Sequence, residues 1–457
     1  MSAKTRFVCS NCGYESGKWL GRCPDCSSWN SFSEITVESS PKKSNSIIEL
    51  GSSAAPMAIG EIKSSGVTRF STGFSELNRV LGGGVVEGSA ILLSGDPGVG
   101  KSTLLLELAR NISRSSSQFV VSSSTKTKNK QPNTKRKVLY ISGEESEGQI
   151  KIRAERIGVK ETDNLFIFSN GDIEQVIAAC EKIKPDLLII DSIQTMSSGN
   201  FPGFAGSLPQ IRHATSKIVS FAKKNGVPVF IVGHATKEGD VAGPMLLSHM
   251  VDCVLYLEGS QTGESGTRVL RSFKNRFGDA SEVGIFIMEE GGMIEIKDSS
   301  FFVEKQSQKV PGSCLTVVME GSRPLICEIQ ALVVPSHLSF PRRVSNGIAD
   351  KRLELLIAVI QKHAKIPLDR LDIFVNVVGG LKITETASDL AVCLAVISSF
   401  KNKVLSSTVA LAEVGLLGEL KEVVNQKSRV KEAKELGFKK IITSNEHRLL
   451  TEIFKDL

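Results

Sequence analysis

One eight-residue segment constrains the fold of this chain more than any other feature. Residues 95–102 read Gly-Asp-Pro-Gly-Val-Gly-Lys-Ser and match the pattern G-x-x-x-x-G-K-[ST]. The apolar run 90–94 precedes them, and a helical pattern over 103–110 follows. A strand, a glycine-rich turn and a helix in this order form a loop whose backbone N–H groups and helix N-terminus surround phosphate. The sequence therefore predicts an α/β nucleotide-binding domain.

ATP and Mg²⁺ are the expected ligands of this loop. Lys101 is expected to reach the β- and γ-phosphates, and the Ser102 hydroxyl is expected to ligate Mg²⁺. The apolar run 187–191 ends in Asp191, which has the position of a Walker B carboxylate directed towards the same ion. The other residues expected to contact the nucleotide are Gly95, Asp96, Pro97, Gly98, Val99, Gly100 and Thr103.

Two acidic residues follow a third apolar run, at 138–142. In the RecA-type P-loop ATPases, which these motifs resemble, a glutamate after the strand next to the P-loop strand activates the attacking water. Glu144 fits that place best and Glu145 is second; alternatively, the two form an acidic pair at the start of the next helix. His234, after the run 229–233, is expected to sense the γ-phosphate or else to be structural.

Four of the nine cysteines lie within the first 26 residues, as Cys9, Cys12, Cys23 and Cys26. Each C-x2-C pair can direct two thiolates at one tetrahedral Zn²⁺. Four thiolates leave no open coordination position, so a structural zinc site is expected. Because about 33 residues are too few to fold on their own core, the metal would supply much of the folding free energy. The spacing does not decide whether this module contacts DNA or protein.

Changes in composition and in apolar pattern along the chain predict four segments. Residues 1–33 form the four-cysteine zinc module, 34–65 a linker, 66–297 the α/β domain with a mainly parallel sheet, and 298–457 a second domain that begins with strands. The stretch 113–137 has seven Ser, seven Lys or Arg and no acidic residue. It is expected to be a disordered insertion, or alternatively a mobile basic arm that touches nucleic acid.

Composition adds little about partners. The chain has 457 residues, is 41% hydrophobic and carries a net charge of +7, which is ordinary for a globular protein and only weakly favours a polyanionic partner. No apolar run reaches about 18 residues, and no apolar leader begins the chain, so no membrane partner is expected. One clustered set of cysteines suits a reducing, cytoplasmic location.

The segment Lys274-Asn275-Arg276-Phe277-Gly278, after a four-cysteine module and a RecA-like core, resembles the RadA/Sms family of bacterial recombination and repair proteins. Further matching stretches are 71–84, 141–146, 237–239, 242–244 and 249–259. The resemblance covers nearly the whole chain except 36–65 and 113–137. It implies a homohexameric ring of RecA-like domains that hydrolyses ATP and moves on single-stranded or branched DNA, with a RecA-type recombinase or a replicative helicase as an expected partner.

The same resemblance implies roles for individual residues. Lys274 and Arg276 would sense or stabilise phosphates, including those held by the neighbouring subunit; the alternative is a basic turn with Phe277 in the core. DNA contacts would come from loops near 195–212 and 237–245, with Arg212 and Lys237 as the cations. Met245 departs from the family, in which a basic residue commonly follows Gly-Pro, and 197–207 carries no charge.

From about residue 311 the chain resembles the peptidase domain of Lon, a ribosomal S5 domain 2-like α+β fold. Ala387 occupies the nucleophile position, Ser388 follows it, and Lys427 lies near the position of the catalytic lysine. A non-proteolytic scaffold is therefore expected. Four basic residues would follow duplex phosphates or form a solvated face: Arg342, Arg343, Lys351 and Arg352. The rival functions are an ATP-dependent Lon-like protease and a RecA-like signalling ATPase or kinase.

Overall fold

The computed structural model describes residues 4–9, 15–24, 29–30, 32–37, 68–114, 135–159, 164–233, 247–259, 266–296, 303 and 310–454. At the N-terminus, strand β1 (Lys4–Cys9) pairs antiparallel with both β2 (Glu15–Ser16) and β3 (Phe32–Val37). Strand β3 extends four residues beyond the predicted end of the module at residue 33. The rest of the predicted linker, 38–65, lies outside the described residues.

Contacts divide the chain into two compact units. The first comprises residues 1–257, 272–280 and 290–292, and the second comprises 258–271, 281–289 and 293–457. The sequence placed one boundary at 297. The structure instead groups 258–271 and 281–289 with the second unit, because Val283 and Ile285 are buried in that unit's core.

A parallel sheet organises the first unit. Its strands occur in the order Cys253–Gly259, Ala90–Gly95, Val229–Val232, Leu187–Asp191, Val138–Ser142 and Leu165–Ser169, and every neighbouring pair is parallel. The strands predicted from apolar runs are all present, and four of them are buried along their whole length. Such continuous apolar runs are typical of parallel strands covered on both faces.

The elements of this part of the chain are β4 (Arg69–Phe70), α1 (Ser75–Val80), β5 (Val85–Val86), β6 (Ala90–Gly95), α2 (Lys101–Arg114), β7 (Val138–Ser142), α3 (Glu147–Arg156), β8 (Leu165–Ser169), α4 (Ile173–Ile183), β9 (Leu187–Asp191), α5 (Leu208–Asn225), β10 (Val229–Val232), β11 (Cys253–Gly259), β12 (Thr267–Asn275), β13 (Val283–Glu289) and β14 (Gly292–Glu295). Helix α2 includes the first two residues of the insertion predicted over 113–137. Residues 115–134 lie outside the described part of the chain.

The second unit is a sheet with helices, and the strands expected there are present. Within the described residues its strands lie in the order Arg343–Asn346, Leu371–Val377, Arg323–Pro335, Ser313–Glu320, Thr408–Leu411 and Lys440–Thr443. The elements are β15 (Ser313–Glu320), β16 (Arg323–Pro335), β17 (Arg343–Asn346), α6 (Asp350–Val359, continued by a π-helical turn Ile360–Ala364), β18 (Leu371–Val377), α7 (Asp389–Lys401), β19 (Thr408–Leu411), β20 (Glu413–Val414), β21 (Leu420–Lys421), α8 (Gln426–Glu435), β22 (Lys440–Thr443) and α9 (Leu450–Phe454). Helix α7 is buried along most of its length in this unit's main core.

Candidate active site

The glycine-rich loop joins β6 to α2 at the carboxyl edge of the parallel sheet. Gly98 has φ +76°, a backbone conformation that disfavours side chains. At Gly95, φ is +147° and a β-carbon would collide with the carbonyl oxygen of Leu257 in β11. The loop therefore turns tightly enough to leave its amide groups and the N-terminus of a 14-residue helix facing one point.

Lys101 is buried at the centre of this loop. Its Nζ donates hydrogen bonds to the carbonyl oxygens of Gly95 and Asp96, both at 2.8 Å. Burial lowers the pKa of the Lys101 ammonium, and the negative charges of Asp191, Asp96 and Glu144 oppose that shift. These three carboxylates therefore surround the lysine that the sequence assigned to phosphate binding.

Asp191 ends β9 beside the loop, opposite Ser142 in the register with β7. Its carboxylate accepts a hydrogen bond from the hydroxyl of Tyr140. Burial and the charge of Asp191 raise the pKa of Tyr140 well above its ordinary value, so Tyr140 stays a donor at neutral pH. A buried ammonium, the Ser102 hydroxyl at the helix N-terminus and a fixed carboxylate form a donor set that fits a nucleotide phosphate and Mg²⁺.

The two candidate glutamates have different partners. Glu144 Oε1 accepts a hydrogen bond of 2.8 Å from Ser192 Oγ, and Ser192 directly follows Asp191. Glu145 instead forms a bidentate ion pair with Arg153 of α3, at 2.7 and 3.1 Å. Glu144 is therefore hydrogen-bonded at the carboxyl end of β9, whereas the charge of Glu145 is neutralised by Arg153.

The alternative role of this acidic pair, at the start of the next helix, belongs to other residues. Ser146 is the N-cap of α3 and forms a capping box with Gln149. The acid in the first turn is Glu147, whose pKa is lowered by backbone hydrogen bonds. His234, the predicted γ-phosphate sensor, lies outside the described residues.

Segment 274–278 lies at the opposite edge of the sheet. The Arg276 guanidinium contacts Asp252 Oδ1 at 3.1 Å, and Asp252 Oδ2 accepts a hydrogen bond of 3.1 Å from the N–H of Ala90. Ala90 is the first residue of β6, whereas the phosphate loop starts at its last residue, Gly95. Five steps of about 3.3 Å separate these ends by roughly 17 Å. Arg276 is thus at the amino edge, far from the loop of its own chain.

The rest of this motif is fixed in place. Lys274 Nζ donates to the carbonyl oxygens of Ser248 at 2.6 Å and Val251 at 2.8 Å, and burial together with Arg276 lowers the pKa of this ammonium. Lys274 therefore holds backbone in this structure. The prediction that Phe277 could lie in the core is wrong, because Phe277 is only partly buried at a turn.

The two remaining motif residues also make backbone contacts. Asn275 Nδ2 donates to the carbonyl oxygen of Val80 at 3.1 Å, and Asn275 Oδ1 accepts from the N–H of Phe277 at 2.9 Å. Gly278 packs closely against Gly82, because a β-carbon added to Gly278 would lie 2.7 Å from the Cα of Gly82. The motif therefore presents one movable cation, Arg276, on a rigid backbone.

The predicted DNA loop over 195–212 is shorter than expected. Helix α5 starts at Leu208 with Pro209 in its first turn, so Arg212 is an exposed helix residue and not a loop residue. A proline in the first turn favours a helix start at this point. The glycine- and serine-rich composition of the segment instead favoured a loop. Lys237 and Met245 lie outside the described residues.

The loop itself, residues 196–207, is anchored at its base. Gln210 Nε2 donates to the carbonyl oxygens of Ser198, Phe201 and Gly203, at 2.6–3.2 Å. The ring of Phe201 stacks on His213, with centroids 4.3 Å apart. Glu174 fixes Ser198 Oγ at 2.6 Å and is itself paired with Lys217 at 2.7 Å.

Phe204 is the residue of this loop that sequence reasoning missed. Its side chain is 83% exposed, and it lies between Gly203 and Gly206, both of which have positive φ. The signal was present as an aromatic residue inside an uncharged, glycine-rich loop. An exposed ring on an anchored loop is a surface on which a planar group can stack.

A second exposed aromatic surface lies beside the phosphate loop. The Tyr256 hydroxyl contacts Asp96 Oδ1 at 3.3 Å, and its ring packs edge-on against Phe273, with centroids 5.8 Å apart. Phe273 is 65% exposed. Neither residue was identified from the sequence, because β11 and the loop are 160 residues apart in the chain.

In the second unit, the residue at the position of the Lon nucleophile is buried. Ala387 and Ser388 are both buried, and Lys427 is exposed on α8. The buried cation of that helix is Arg429, whose guanidinium binds Glu385 at 2.7 Å. The segment thus contains an ion pair next to Ala387 between a buried guanidinium and a partly exposed carboxylate.

Three of the four basic residues predicted to follow phosphates have internal partners. Arg352 binds the buried Asp389, and Arg343 donates to the carbonyl oxygens of Leu368 and Leu371. Arg342 is 60% exposed, but its Nε lies 3.8 Å from Asp372 Oδ2. Lys351 is exposed at the start of α6. The guanidinium groups of Arg343 and Arg352 are therefore already bound within the chain.

The N-terminal cysteines are described in part. Cys9 and Cys23 are buried, whereas Cys12 and Cys26 lie outside the described residues. In the segments that the structure describes, no helix is both long and apolar enough to cross a membrane.

Comparison with known proteins decides the family. Two family models match, one described as an AAA domain over residues 59–240 and one as a rubredoxin metal binding domain over residues 7–34. Proteins named DNA repair protein RadA are similar over 96% of this chain. The one from Halalkalibacterium halodurans is 43% identical and covered to 92%, that from Bacillus subtilis 42% and 92%, and that from Campylobacter jejuni 44% and 93%.

The chain belongs to the RadA/Sms family of DNA repair proteins. This result confirms the family expected from residues 274–278 and the RecA-like α/β fold class, and it makes this RadA/Sms protein an ATP-hydrolysing enzyme. Among solved structures, a KaiC-like protein from Pyrococcus horikoshii (TM-score 0.40, 16% identity) and the RadB recombinase (TM-score 0.37, 20% identity) each align along their whole length with 50% of this chain.

Proposed function

We propose that this RadA/Sms protein is a DNA-dependent ATPase that acts on recombination intermediates. A homohexameric ring moves along single-stranded DNA and drives branch migration during recombinational repair. A RecA-type recombinase or a replicative helicase is the protein partner that fits this task.

One observation carries the proposal. The phosphate loop and Arg276 occupy opposite edges of the same parallel sheet, roughly 17 Å apart along β6. Arg276 is half-exposed at its edge and cannot reach the loop of its own chain from there. A second subunit packed against the carboxyl edge would supply its own Arg276 to the nucleotide. Because one subunit's hydrolysis then depends on the next, the ring couples ATP turnover to movement between subunits.

Each residue near the loop has a proposed task. Lys101 and the backbone amides of 95–100 bind the phosphates, and Ser102 and Asp191 hold Mg²⁺, which would neutralise phosphate charge when bound. Glu144 orients the attacking water, because it is fixed to Ser192 and is not consumed by an ion pair with Arg153. Arg276 of the neighbouring subunit stabilises the charge that develops on the transferred phosphoryl group.

Lys274 acts as a positioning residue. Its ammonium is already bound by two backbone carbonyl oxygens, so it holds the turn from which Arg276 projects. Tyr256 and Phe273 offer an aromatic edge beside the phosphate loop, where the nucleotide base would lie.

The DNA contact is proposed at loop 196–207. The loop carries no charge between residues 197 and 207, so its affinity for DNA would come from stacking. Phe204 provides the exposed ring, and Arg212, one turn into α5, provides an exposed cation. Such a surface binds DNA of many base sequences. A protein that moves along a DNA strand requires this lack of sequence preference.

The terminal segments have supporting tasks. Cys9, Cys12, Cys23 and Cys26 bind one structural Zn²⁺, in agreement with the metal-binding model that matches residues 7–34. The second unit is a scaffold without peptidase activity, because Ala387 has no nucleophilic atom and Ser388 is buried. Cleavage of casein by the purified protein would refute that assignment.

Steady-state ATP hydrolysis tests the function. We expect hydrolysis to rise strongly on addition of single-stranded DNA, and the stimulation to weaken at moderate salt. Arg276→Ala should bind ATP normally but lose most of the stimulated turnover, whereas Arg448→Ala, which removes an exposed arginine in the second unit, should keep it. Equal turnover with and without DNA would overturn the proposal.

A further inference from the structure

We infer that Asp252 and Lys223 form a latch that positions Arg276, holding it within its own subunit until a neighbouring nucleotide takes it. This inference rests on the proposed action of Arg276 between subunits. Asp252 and Lys223 touch no nucleotide themselves; they act through Arg276.

Asp252 is a nearly buried carboxylate with a fixed orientation. Its side chain is 6% exposed, and Oδ2 accepts the N–H of Ala90 at 3.1 Å. The other oxygen, Oδ1, is shared by two cations: Arg276 at 3.1 Å and Lys223 at 3.4 Å. One carboxylate thus has two ion partners on the same atom.

Sharing makes either cation easier to release. Two positive groups on one oxygen repel each other, so each holds Asp252 less tightly than it would alone. When Arg276 leaves, Lys223 remains and its attraction to Asp252 increases. The nearly buried carboxylate therefore never loses its last ion partner, which would be strongly unfavourable.

The Arg276 side chain can change partners while its backbone stays fixed. The backbone N–H of Arg276 donates to the carbonyl oxygen of Asp252 at 3.1 Å, and Lys274 holds the carbonyl groups at residues 248 and 251. The side chains of Arg276 and Lys223 are 55% and 50% exposed, so an exchange of partners needs no change in the core. The geometry is that of a movable guanidinium on a rigid turn.

Replacement of Lys223 tests the latch. In Lys223→Met, release of Arg276 leaves Asp252 without an ion partner among the described residues, so DNA-stimulated kcat should fall about three- to fivefold. The KM for ATP should stay unchanged. Lys223→Arg restores a cation and should recover most of the turnover. The matched control is Lys224→Met, the next residue of the same helix, which is also exposed and should behave as wild type. The deficit of Lys223→Met should shrink as salt rises, because salt screens exposed ion pairs.

A double-mutant cycle separates the latch from a general role of Lys223 in folding. Asp252→Asn keeps an acceptor for the Ala90 N–H but removes the charge, so Lys223→Met should have no further effect in that background. Wild-type turnover of Lys223→Met, or an undiminished deficit in the Asp252→Asn background, would overturn the latch. If Arg276→Ala is impaired while Lys223→Met is normal, only the latch fails; if Arg276→Ala has wild-type turnover, the proposed function fails as well.

Discussion

Phe204→Ala removes the aromatic ring at the tip of the anchored loop and should weaken binding to single-stranded DNA. The ring is 83% exposed, so its loss should cost the folded protein little packing. Gln210, Glu174 and the stack of Phe201 on His213 hold the loop base without it. Changes in affinity would therefore report DNA contact.

The magnitude follows from the stacking of one base. A base stacked on an aromatic side chain contributes about 1–3 kcal/mol by alanine substitution. We expect the lower part of this range, about 1.4 kcal/mol, because the loop offers one ring and no charge; this corresponds to about a tenfold rise in Kd. Phe204→Trp keeps a stacking surface and should bind as tightly as the wild type.

Fluorescence anisotropy with a labelled oligothymidine at several salt concentrations is the assay. Stacking neutralises no phosphate, so Phe204→Ala should lower affinity equally at every salt concentration and leave the slope of log K against log salt unchanged. Arg212→Ala is the contrast, because loss of a phosphate contact should reduce that slope by about one. Unchanged affinity of Phe204→Ala, or an altered slope, would refute the stacking role.

Three further results are expected. Glu144→Gln should lower kcat about a hundredfold or more and keep ATP binding, whereas Glu145→Gln should change turnover little; equal losses would contradict the choice of Glu144. Burial lowers the pKa of His213 below its ordinary 6.5, so the folded protein binds fewer protons than the unfolded chain and loses stability as pH falls below about 6.5. His213→Gln should therefore lose less thermal stability than the wild type between pH 8 and pH 5. An identical loss in the two proteins would exclude His213 as a contributor. Metal analysis should find about one zinc per chain, and chelation should make residues 4–37 sensitive to protease while DNA-independent ATP hydrolysis persists; absence of zinc would exclude ligation by Cys9 and Cys23.

Local pattern predicted the parts of the site that depend on local structure. The phosphate loop needs only a strand, three glycines and a helix start, all within 90–102. Asp191 is recognisable because an apolar strand ends in a carboxylate. These features were visible because each depends on residue types that lie within a few positions of one another along the chain. The buried strands follow from the same apolar runs.

The rest of the site depends on contacts distant in sequence. Glu144 and Glu145 are adjacent and chemically identical, and they are distinguished by their partners, Ser192 for Glu144 and Arg153 for Glu145. The position of Arg276 at the amino edge depends on its contact with Asp252, 24 residues earlier in the chain. The pairing of Asp252 with two cations could not be predicted, because Lys223 lies on helix α5, distant in sequence from both Asp252 and Arg276.

Other differences arose from competing local signals. Glycine and serine in 197–207 concealed the start of α5, so Arg212 was assigned to a loop. In the second unit, Arg352 and Arg343 had the composition of a basic surface, but their guanidinium groups bind Asp389 and backbone carbonyl oxygens. Charge in a sequence does not show whether a cation is already paired.

Mixing of two inactive variants tests most directly that Arg276 completes the phosphate site of a neighbouring subunit. Lys101→Ala lacks a working phosphate loop but keeps Arg276, and Arg276→Ala has the reverse defect. In a random one-to-one mixture, about a quarter of the interfaces would join an intact loop to an intact Arg276. We predict that the mixture recovers DNA-stimulated ATP hydrolysis to a substantial part of that fraction, although each variant alone is inactive. A mixture with no more activity than the sum of the two variants would contradict the account.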